Sequence, residues 1–275
     1  MRPAARAGHE IKRGRGGQIA GELFAGTSGF SYASWKGKFY PRSLAGARML
    51  DYYSARLRGV ELNGSFYRLP PATTLEKWAT STPAGFRFCM KANRGLTYSA
   101  EAFDRVGLAR LFAERMRTLG AHLGPVLLQF PPVRQRNVAL LDSLLDAVQT
   151  TTACEFRHDS WFHPETFNVI RRHAGAMVVT DEEKWPLAPL VELGPSAYFR
   201  LRRGYTSRTL EPWVEKIRSA LGSHEEVHVY FKHDPQAPRL ALRLQREISE
   251  AEAGSRPPRP RPSTTTPAAP GAARR

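Results

Sequence analysis

The feature that most constrains the fold is a regular alternation of short β-rich apolar runs with longer amphipathic runs of helical spacing. We predict eight strands, at residues 22–27, 59–62, 86–90, 126–130, 152–156, 176–180, 197–201 and 227–231. We predict seven helices, at 44–57, from Pro71 onward, and at 101–119, 138–148, 164–173, 210–221 and 240–248. Three prolines, at 186, 189 and 195, argue against a helix after the sixth strand. This pattern predicts an α/β fold, a single-domain (β/α)8 TIM barrel.

The two ends of the chain differ in composition from the rest. Residues 1–20 are basic and glycine-rich, and residues 251–275 are rich in proline and arginine. Both stretches carry almost no large apolar side chains, so burial cannot offset the entropy lost on ordering them. We therefore predict disordered basic tails at 1–20 and 251–275, flanking one barrel domain at 21–250.

The net charge of +16 belongs in large part to these ends. Residues 1–20 contribute +4 and residues 254–275 contribute +5, which leaves +7 for the core. Flexible basic tails attract polyanions without sequence preference. No apolar run reaches the roughly 18 residues of a membrane span, and the first twenty residues lack a secretion signal. We expect a soluble, cytoplasmic protein with no membrane association and no obligate protein partner.

Each predicted strand carries polar residues at or just past its C-terminal end. In a TIM barrel these ends converge on one rim, where active sites lie. The rim set comprises Ser28, Glu61, Asn63, Lys91, Gln129, Glu155, Arg157, His158, Asp181, Arg200, Lys232, His233 and Asp234. A mixed ring of acids and bases predicts acid/base chemistry or an anionic ligand.

We assign Glu155 as the general acid or base, with Asp181 or Glu61 as its partner. The predicted substrate-binding residues are cationic, polar or aromatic. They comprise Lys91, Arg157, His158, Arg200, Lys232, Asn63, Gln129, Trp35, Tyr67 and Trp161. The cations suit a phosphate or carboxylate, and the aromatic rings suit bases or sugars.

Metal ligation is the remaining chemistry for this rim. Histidines and carboxylates are present, but there is no HxH or HExxH pair, and only His158 and His233 fall on the rim. We predict no cofactor and no metal, with a single divalent cation as the alternative.

Several motifs occur along residues 22–250 in a fixed order. They are GTSGFSY at 26–32, FYP at 39–41, VELN at 60–63, FYRLP at 66–70, FRF at 86–88, LQFPP at 128–132 and EFRH at 155–158. On these motifs the chain resembles the YecE-like family of domains of unknown function. The resemblance implies a TIM barrel, with a distant likeness to endonuclease-IV-type barrels and hence DNA binding. The chain departs from the family pattern at Tyr98 and at Arg202, where histidines are common.

Three functions follow from these residues. The leading hypothesis is an enzyme, a hydrolase or lyase, acting on a phosphorylated or nucleic-acid-like substrate through Glu155 and the cations. The second is a non-catalytic barrel that binds nucleic acid. The third is a glycoside hydrolase, because paired carboxylates in a barrel mouth suit that reaction.

Overall fold

The computed structural model describes residues 21–99 and 104–254. The predicted tail at 1–20, and residues 255–275 of the second predicted tail, lie outside the described residues. The strands are β1 (Glu22–Ser28), β2 (Gly59–Leu62), β3 (Arg87–Met90), β4 (Val126–Phe130), β5 (Thr152–Phe156), β6 (Ala176–Asp181), β7 (Ser196–Leu201) and β8 (Glu226–Phe231). All eight predicted strands are confirmed, each within one residue at either end.

Helices occupy most connections between these strands. They are α1 (Met49–Ser54), α2 (Ala72–Ser81), α3 (Arg94–Thr97), α4 (Arg105–Met116), α5 (Val138–Val148), α6 (Pro164–Arg172), α7 (Ser207–Leu221) and α8 (Ala237–Gly254). The proline-punctuated segment between β6 and β7 contains no helix, as predicted. Pro164 occupies the first turn of α6, where its missing N–H costs no hydrogen bond.

Two helices are shorter than the apolar spacing predicts. The prediction at 44–57 is reduced to α1 and the preceding 3-10 turn Gly46–Arg48, although Leu57 is fully buried beyond the helix. The prediction at 101–119 ends as α-helix at Met116 and continues as the 3-10 segment Arg117–His122. Residues 101–103 of that prediction lie outside the described residues. Apolar spacing reports which residues are buried, and a buried residue need not be helical.

Two other helices extend into segments predicted as loop or tail. The polar loop after β3 contains α3, and the side chain of Asn93 accepts a hydrogen bond from the backbone N–H of Gly95. α8 begins before and ends after the predicted 240–248, and it includes residues 251–254 of the predicted tail. The barrel domain thus continues slightly beyond residue 250.

The strands form one parallel sheet in the order β3-β2-β1-β8-β7-β6-β5-β4. Between β3 and β4 the barrel is closed by isolated bridges rather than by a continuous ladder. The N–H of Ala92 donates to the carbonyl of Leu127 at 2.9 Å, and the N–H of Gly124 donates to the carbonyl of Phe88 at 3.0 Å. The structure is therefore a (β/α)8 barrel with one weakly bonded seam.

Alternation along the strands separates two apolar regions. The larger one lies between strands and helices, and it takes the outward residues such as Val60, Val179 and Phe199. A smaller cluster fills the barrel interior and includes Cys89, Leu127, Val178, Tyr198 and Tyr230. Because side chains of a strand alternate between its faces, the next inward residue toward the C-terminal rim sits directly above this cluster. That upper layer is polar, and it contains the candidate site.

No helix within residues 21–99 and 104–254 combines the length and the apolar character that a bilayer crossing requires. The two cysteines, Cys89 and Cys154, are both buried and unpaired.

Candidate functional site

The centre of the site is a buried guanidinium held between two buried carboxylates. Arg200, on β7, donates from Nε and Nη2 to the two carboxylate oxygens of Glu61 on β2, each at 2.8 Å. Its Nη1 donates to Oε2 of Glu155 on β5. Each of the three side chains is at most 2% exposed. Three residues predicted from separate strand ends therefore meet at one point in the barrel mouth.

Glu61 is saturated with donors. Its Oε1 also accepts from Ser28 Oγ at 2.9 Å and from Asn63 Nδ2 at 3.2 Å. Its Oε2 accepts from the hydroxyl of Tyr198 at 3.0 Å. Arg202 joins the network by donating from Nη1 to Ser28 Oγ at 3.1 Å. A carboxylate with this many donors is fixed in position and in its ionised state.

A second hydrogen-bonded group continues the layer across β3 and β4. Gln129 donates from Nε2 to Oε2 of Glu155 at 2.9 Å. Its Oε1 accepts from Lys91 Nζ and from the Tyr98 hydroxyl, both at 2.7 Å. Lys91 Nζ also lies 3.9 Å from the ring centroid of Phe66. Lys91 is thus held by a neutral acceptor and an aromatic face.

Two further arginines stand beside the buried centre. Arg157 donates from Nε to Oε1 of Glu155 at 3.0 Å, and its Cζ lies 4.8 Å from the ring centroid of Trp185. The Nε of Arg202 is buried without a hydrogen-bond partner among the described residues, and Oε2 of Glu182 lies 3.8 Å away. Both guanidinium groups thus keep N–H donors that no described protein acceptor uses.

The ionic contacts fix both buried carboxylates in the charged form. Burial alone would raise the pKa of Glu155, but the positive charges of Arg200 and Arg157 outweigh that effect and lower the pKa to about 2. Burial also acts to raise the pKa of Glu61, and the contacts with Arg200 again reverse the direction. A general acid or base works best with a pKa near the working pH. This geometry therefore argues against the predicted proton-transfer role of Glu155 and of Glu61.

The surroundings of Lys91 disfavour its charged form, whereas those of the two carboxylates favour theirs. Burial lowers its pKa to about 8, and the nearby charge of Arg200 acts in the same direction. The two carboxylates of the layer pair with arginines, and no other carboxylate of the described residues forms an ion pair with Lys91. Lys91 can therefore gain or lose a proton near neutral pH.

Asp181, predicted as a catalytic partner of Glu155, lies outside the layer. Val178 belongs to the interior cluster, so strand alternation directs Thr180 inward and Asp181 outward. The Asp181 carboxylate accepts from the hydroxyl of Tyr205 at 2.5 Å and pairs with Nε of Arg203 at 2.8 Å. The structure does not bring it together with the other two acids.

The predicted aromatic residues separate by burial. Trp35 and Trp161 are fully buried, with indole N–H groups that donate to backbone carbonyls of Asp234 and Arg134. They pack beneath the rim loops, and neither indole ring has exposed surface for the predicted ligand contact. Tyr67 is 73% exposed and remains accessible to a ligand.

Two predicted substrate-binding residues, His158 and Lys232, make no contact with the buried centre. The Nδ1 atom of His158 accepts from the backbone N–H of Ser160 and caps the following 3-10 turn. Lys232 is exposed, and its side chain forms no hydrogen bond or ion pair within the described part of the chain.

Three contributing residues are absent from the predicted set of site residues: Tyr98, Tyr198 and Arg202. Tyr198 could have been predicted from the alternation of side chains along β7, because Tyr198 is two residues before Arg200 and therefore faces the same barrel interior. Tyr98 and Arg202, where the family resemblance led us to expect histidines, both join the network. Within residues 21–99 and 104–254, no group of three or more His, Cys, Asp or Glu side chains has a metal-binding arrangement.

Fold and site together define a TIM-barrel protein whose C-terminal mouth carries a buried, arginine-centred polar layer. The family model described as "Protein of unknown function DUF72" matches residues 24–264, which is most of the sequence. The chain therefore belongs to the DUF72 family, and the YecE-like resemblance seen in the sequence motifs is confirmed.

Individual relatives agree with this membership. UPF0759 protein YunF of Bacillus subtilis is 32% identical over 163 residues, covering 52% of this chain and 56% of YunF. UPF0759 protein YecE of Escherichia coli K12 is 28% identical over 120 residues, covering 42% and 44%. The matches thus span about half the length of these curated relatives.

Solved structures extend the comparison to nearly complete barrels. A DUF72 family protein of Thermotoga maritima superposes with a TM-score of 0.73 at 29% identity, covering 82% of this chain and 99% of that one. A DUF72 family protein of Enterococcus faecalis gives 0.67 at 20% identity, covering 82% and 97%. The second likeness concerns the fold alone.

Proposed function

We propose that this barrel is an enzyme that acts on a phosphorylated or nucleic-acid-like substrate at its C-terminal mouth. The observation that carries the proposal is the excess of cations there. Arg157, Arg200, Arg202 and Lys91 bring four positive charges, whereas Glu61, Glu155 and Glu182, which lies 3.8 Å from Arg202, bring three negative charges. An anion with several acceptor oxygens would use the unpaired guanidinium donors.

The proton-transfer role moves from Glu155 to Lys91 in this proposal. Glu155 is the counter-charge of two arginines, while the pKa of Lys91 is lowered by burial to about 8. A lysine with such a pKa exchanges its proton at working pH and so suits acid/base chemistry. The glycoside-hydrolase alternative loses support, because that reaction needs a carboxyl group with a raised pKa and both buried carboxyl groups have lowered values.

The test is the binding of inorganic phosphate and pyrophosphate to the full-length chain by titration calorimetry. Small anions avoid the non-specific attraction of polyanions to the basic tails. Arg157→Ala should weaken pyrophosphate binding by about tenfold, since a charge-assisted hydrogen bond contributes about 1.5–3 kcal/mol. The matched control is Arg246→Ala, which removes an exposed arginine of α8 that pairs with Glu250. Equal affinity in both variants, or no binding to the wild type, would contradict the anion site.

The second candidate is a non-catalytic barrel that binds single-stranded nucleic acid. Exposed Tyr67 and the Arg157–Trp185 stack favour it, because aromatic rings beside cations accept bases and phosphates together. Tyr67→Ala should then weaken binding of a labelled oligonucleotide several-fold while leaving pyrophosphate affinity unchanged. If Tyr67→Ala binds both the oligonucleotide and pyrophosphate as tightly as the wild type does, Tyr67 does not contact the ligand.

A further inference from the structure

We propose that Lys91 is a nucleophile that forms an imine with the carbonyl carbon of a phosphorylated aldehyde or ketone. This inference rests on the proposed function and names its substrate class: the phosphate occupies the cationic mouth and the carbonyl group meets the lysine amine.

The surroundings of Lys91 suit a neutral amine. Its Nζ donates to the uncharged Oε1 of Gln129 at 2.7 Å. The ring of Phe66, whose centroid lies 3.9 Å from Nζ, favours the ammonium form but supplies no counter-charge. An ammonium group is usually held by a carboxylate, but here Glu155 is engaged by Arg200 and Arg157. Partial burial and the neighbouring guanidinium groups therefore disfavour the charged form. Desolvation and adjacent cations are the two means by which proteins activate lysine for attack on carbonyl groups.

A hydrogen-bond donor lies beside the amine. The Tyr98 hydroxyl donates to the same oxygen of Gln129 as Lys91 does, also at 2.7 Å. Partial burial raises the pKa of Tyr98, so the phenol keeps its proton at neutral pH. From this position Tyr98 can donate a hydrogen bond to the oxygen of a carbonyl group bound there, which polarises the carbonyl group for attack by the amine.

The chemistry balances without a redox partner. The lysine nitrogen adds to the carbonyl carbon, and the carbonyl oxygen takes up a proton to give a carbinolamine. The nitrogen lone pair then forms the C=N bond as the hydroxyl group takes a second proton and leaves as water. Two protons leave the nitrogen and two reach the departing oxygen, so an amine and a carbonyl compound yield an imine and one water.

The guanidinium that would bind the phosphate and the amine that would attack the carbonyl carbon lie on opposite sides of the same polar layer. Nε of Arg157 donates a hydrogen bond to Oε1 of Glu155. On the other side, Gln129 donates to Oε2 of Glu155 and accepts from Nζ of Lys91. In this proposal a short phosphorylated carbonyl compound directs its phosphate to Arg157, whose Nη groups no described protein acceptor uses, and its carbonyl carbon to Lys91. Longer sugar phosphates in the open-chain form, including the aldehyde of an abasic nucleotide, share this chemistry.

The experiment is reductive trapping on the full-length chain. The protein is incubated with glycolaldehyde phosphate or with glycolaldehyde, sodium cyanoborohydride is added, and the adduct is located by peptide mass spectrometry. We expect an adduct on Lys91 that forms about tenfold faster with the phosphorylated compound, given one lost charge-assisted contact. Trapping should increase with pH through about 8, where Lys91 loses its proton, and inorganic phosphate should inhibit it.

Three variants make the test specific. Lys91→Met and Lys91→Arg should both lose the adduct, because neither side chain carries a primary amine. The matched control is Lys216→Met on α7, since Lys216 also lies over an aromatic ring, 4.5 Å from the centroid of Trp213. Thermal unfolding of each variant checks that it is folded.

The outcomes separate this inference from the proposed function. Absence of a Lys91 adduct, with pyrophosphate affinity still dependent on Arg157, overturns the imine and leaves the anion site intact. An adduct that forms equally with both aldehydes and resists phosphate overturns the phosphorylated substrate class and counts against the anion site as well.

Discussion

At the residue scale, the contacts of Arg200 keep the two buried carboxylates of the site ionised. A buried ion cluster adds little net stability, because desolvation offsets much of its attraction, but removal of one member leaves uncompensated buried charge. Arg200 pairs with Glu61 and Glu155 together, and all three are buried. Counted with Arg157, Arg202, Lys91 and Glu182, the layer holds four cations and three carboxylates, an excess of one positive charge that suits an anionic ligand.

Arg200→Met should destabilise the fold strongly, because it leaves the two buried carboxylates without their guanidinium partner. We expect a loss of about 3–5 kcal/mol in the free energy of unfolding, measured by urea denaturation at pH 7. The control Arg172→Met breaks an exposed pair with Asp142 and should cost at most about 1 kcal/mol. The triple variant that adds Glu61→Gln and Glu155→Gln should recover part of the loss. Equal stability of Arg200→Met and wild type would refute a charged cluster.

Glu155 should make stability depend on acid pH. Its pKa falls from 4.5 to about 2 in the folded protein, because the charges of Arg200 and Arg157 outweigh the effect of burial. The ionised form therefore stabilises the fold fully above about pH 4.5, and the contribution, roughly 3 kcal/mol, is lost as pH falls through 2. In urea titrations, wild type should exceed Glu155→Gln in stability at pH 7, and the difference should shrink between pH 5 and pH 2. A difference that is the same at pH 3 and pH 7 would contradict the lowered pKa.

At the element scale, strand parity and loop packing decide which rim residues reach the mouth. On β6 the inward position at the rim is Thr180, so the adjacent acid turns toward the loop after β7 and pairs with Arg203 and Tyr205. After β5 the chain turns into a 3-10 segment, Asp159–Trp161, whose tryptophan stacks on Phe156 with centroids 4.5 Å apart. Proximity to a strand end in the sequence therefore does not guarantee access to the site.

Truncation to alanine should lower the stability of the fold far more at Trp161 than at Tyr67. Trp161→Ala removes a fully buried indole that also donates to a backbone carbonyl, so we expect a loss of about 3–5 kcal/mol in stability. Tyr67→Ala removes a ring that is 73% exposed and should change stability by less than about 0.5 kcal/mol. Urea denaturation of both variants measures this contrast. Comparable losses would mean that Tyr67 has a packing role.

At the scale of the whole molecule, the barrel is closed unevenly. Ladders join β7 to β8 over six residue pairs, whereas β3 and β4 are joined by isolated bridges. Lys91, directly after β3, and Gln129, on β4, lie on the two sides of this seam. Their side-chain hydrogen bond at 2.7 Å thus spans the junction that the backbone bonds least.

Amide hydrogen exchange should report this seam directly. The N–H groups of Ala92 and Gly124, which make the seam hydrogen bonds, should exchange at least about tenfold faster than the ladder amides of β7 and β8, because local opening needs fewer broken contacts. Exchange followed by fragment mass spectrometry measures the ratio. Pyrophosphate should slow exchange at Ala92 if the anion orders the mouth. Equal protection around the barrel would show that the seam is as stable as the ladders.

The sequence by itself determined the eight strands, the missing helix after β6 and the polar rim. These features follow from local causes: apolar periodicity, proline's missing N–H, and the rule that parallel barrel strands end at one face. The family resemblance also came from contiguous motifs. Glu61, Glu155, Arg200, Lys91 and Gln129 could accordingly be named before any contact was known.

Only the tertiary structure decided what those residues do. The pKa of Glu155 depends on Arg200 and Arg157 lying within hydrogen-bond distance, and the lowered pKa of Lys91 depends on burial beside Gln129. Apart from Arg157, which is two residues from Glu155, these partners lie far apart in the chain, and the electrostatic energy depends on the distances that the fold sets between them. The same reason underlies our proposal that a lysine rather than a carboxylate exchanges the proton: composition supplies the charges, but three-dimensional pairing decides which of them are neutralised.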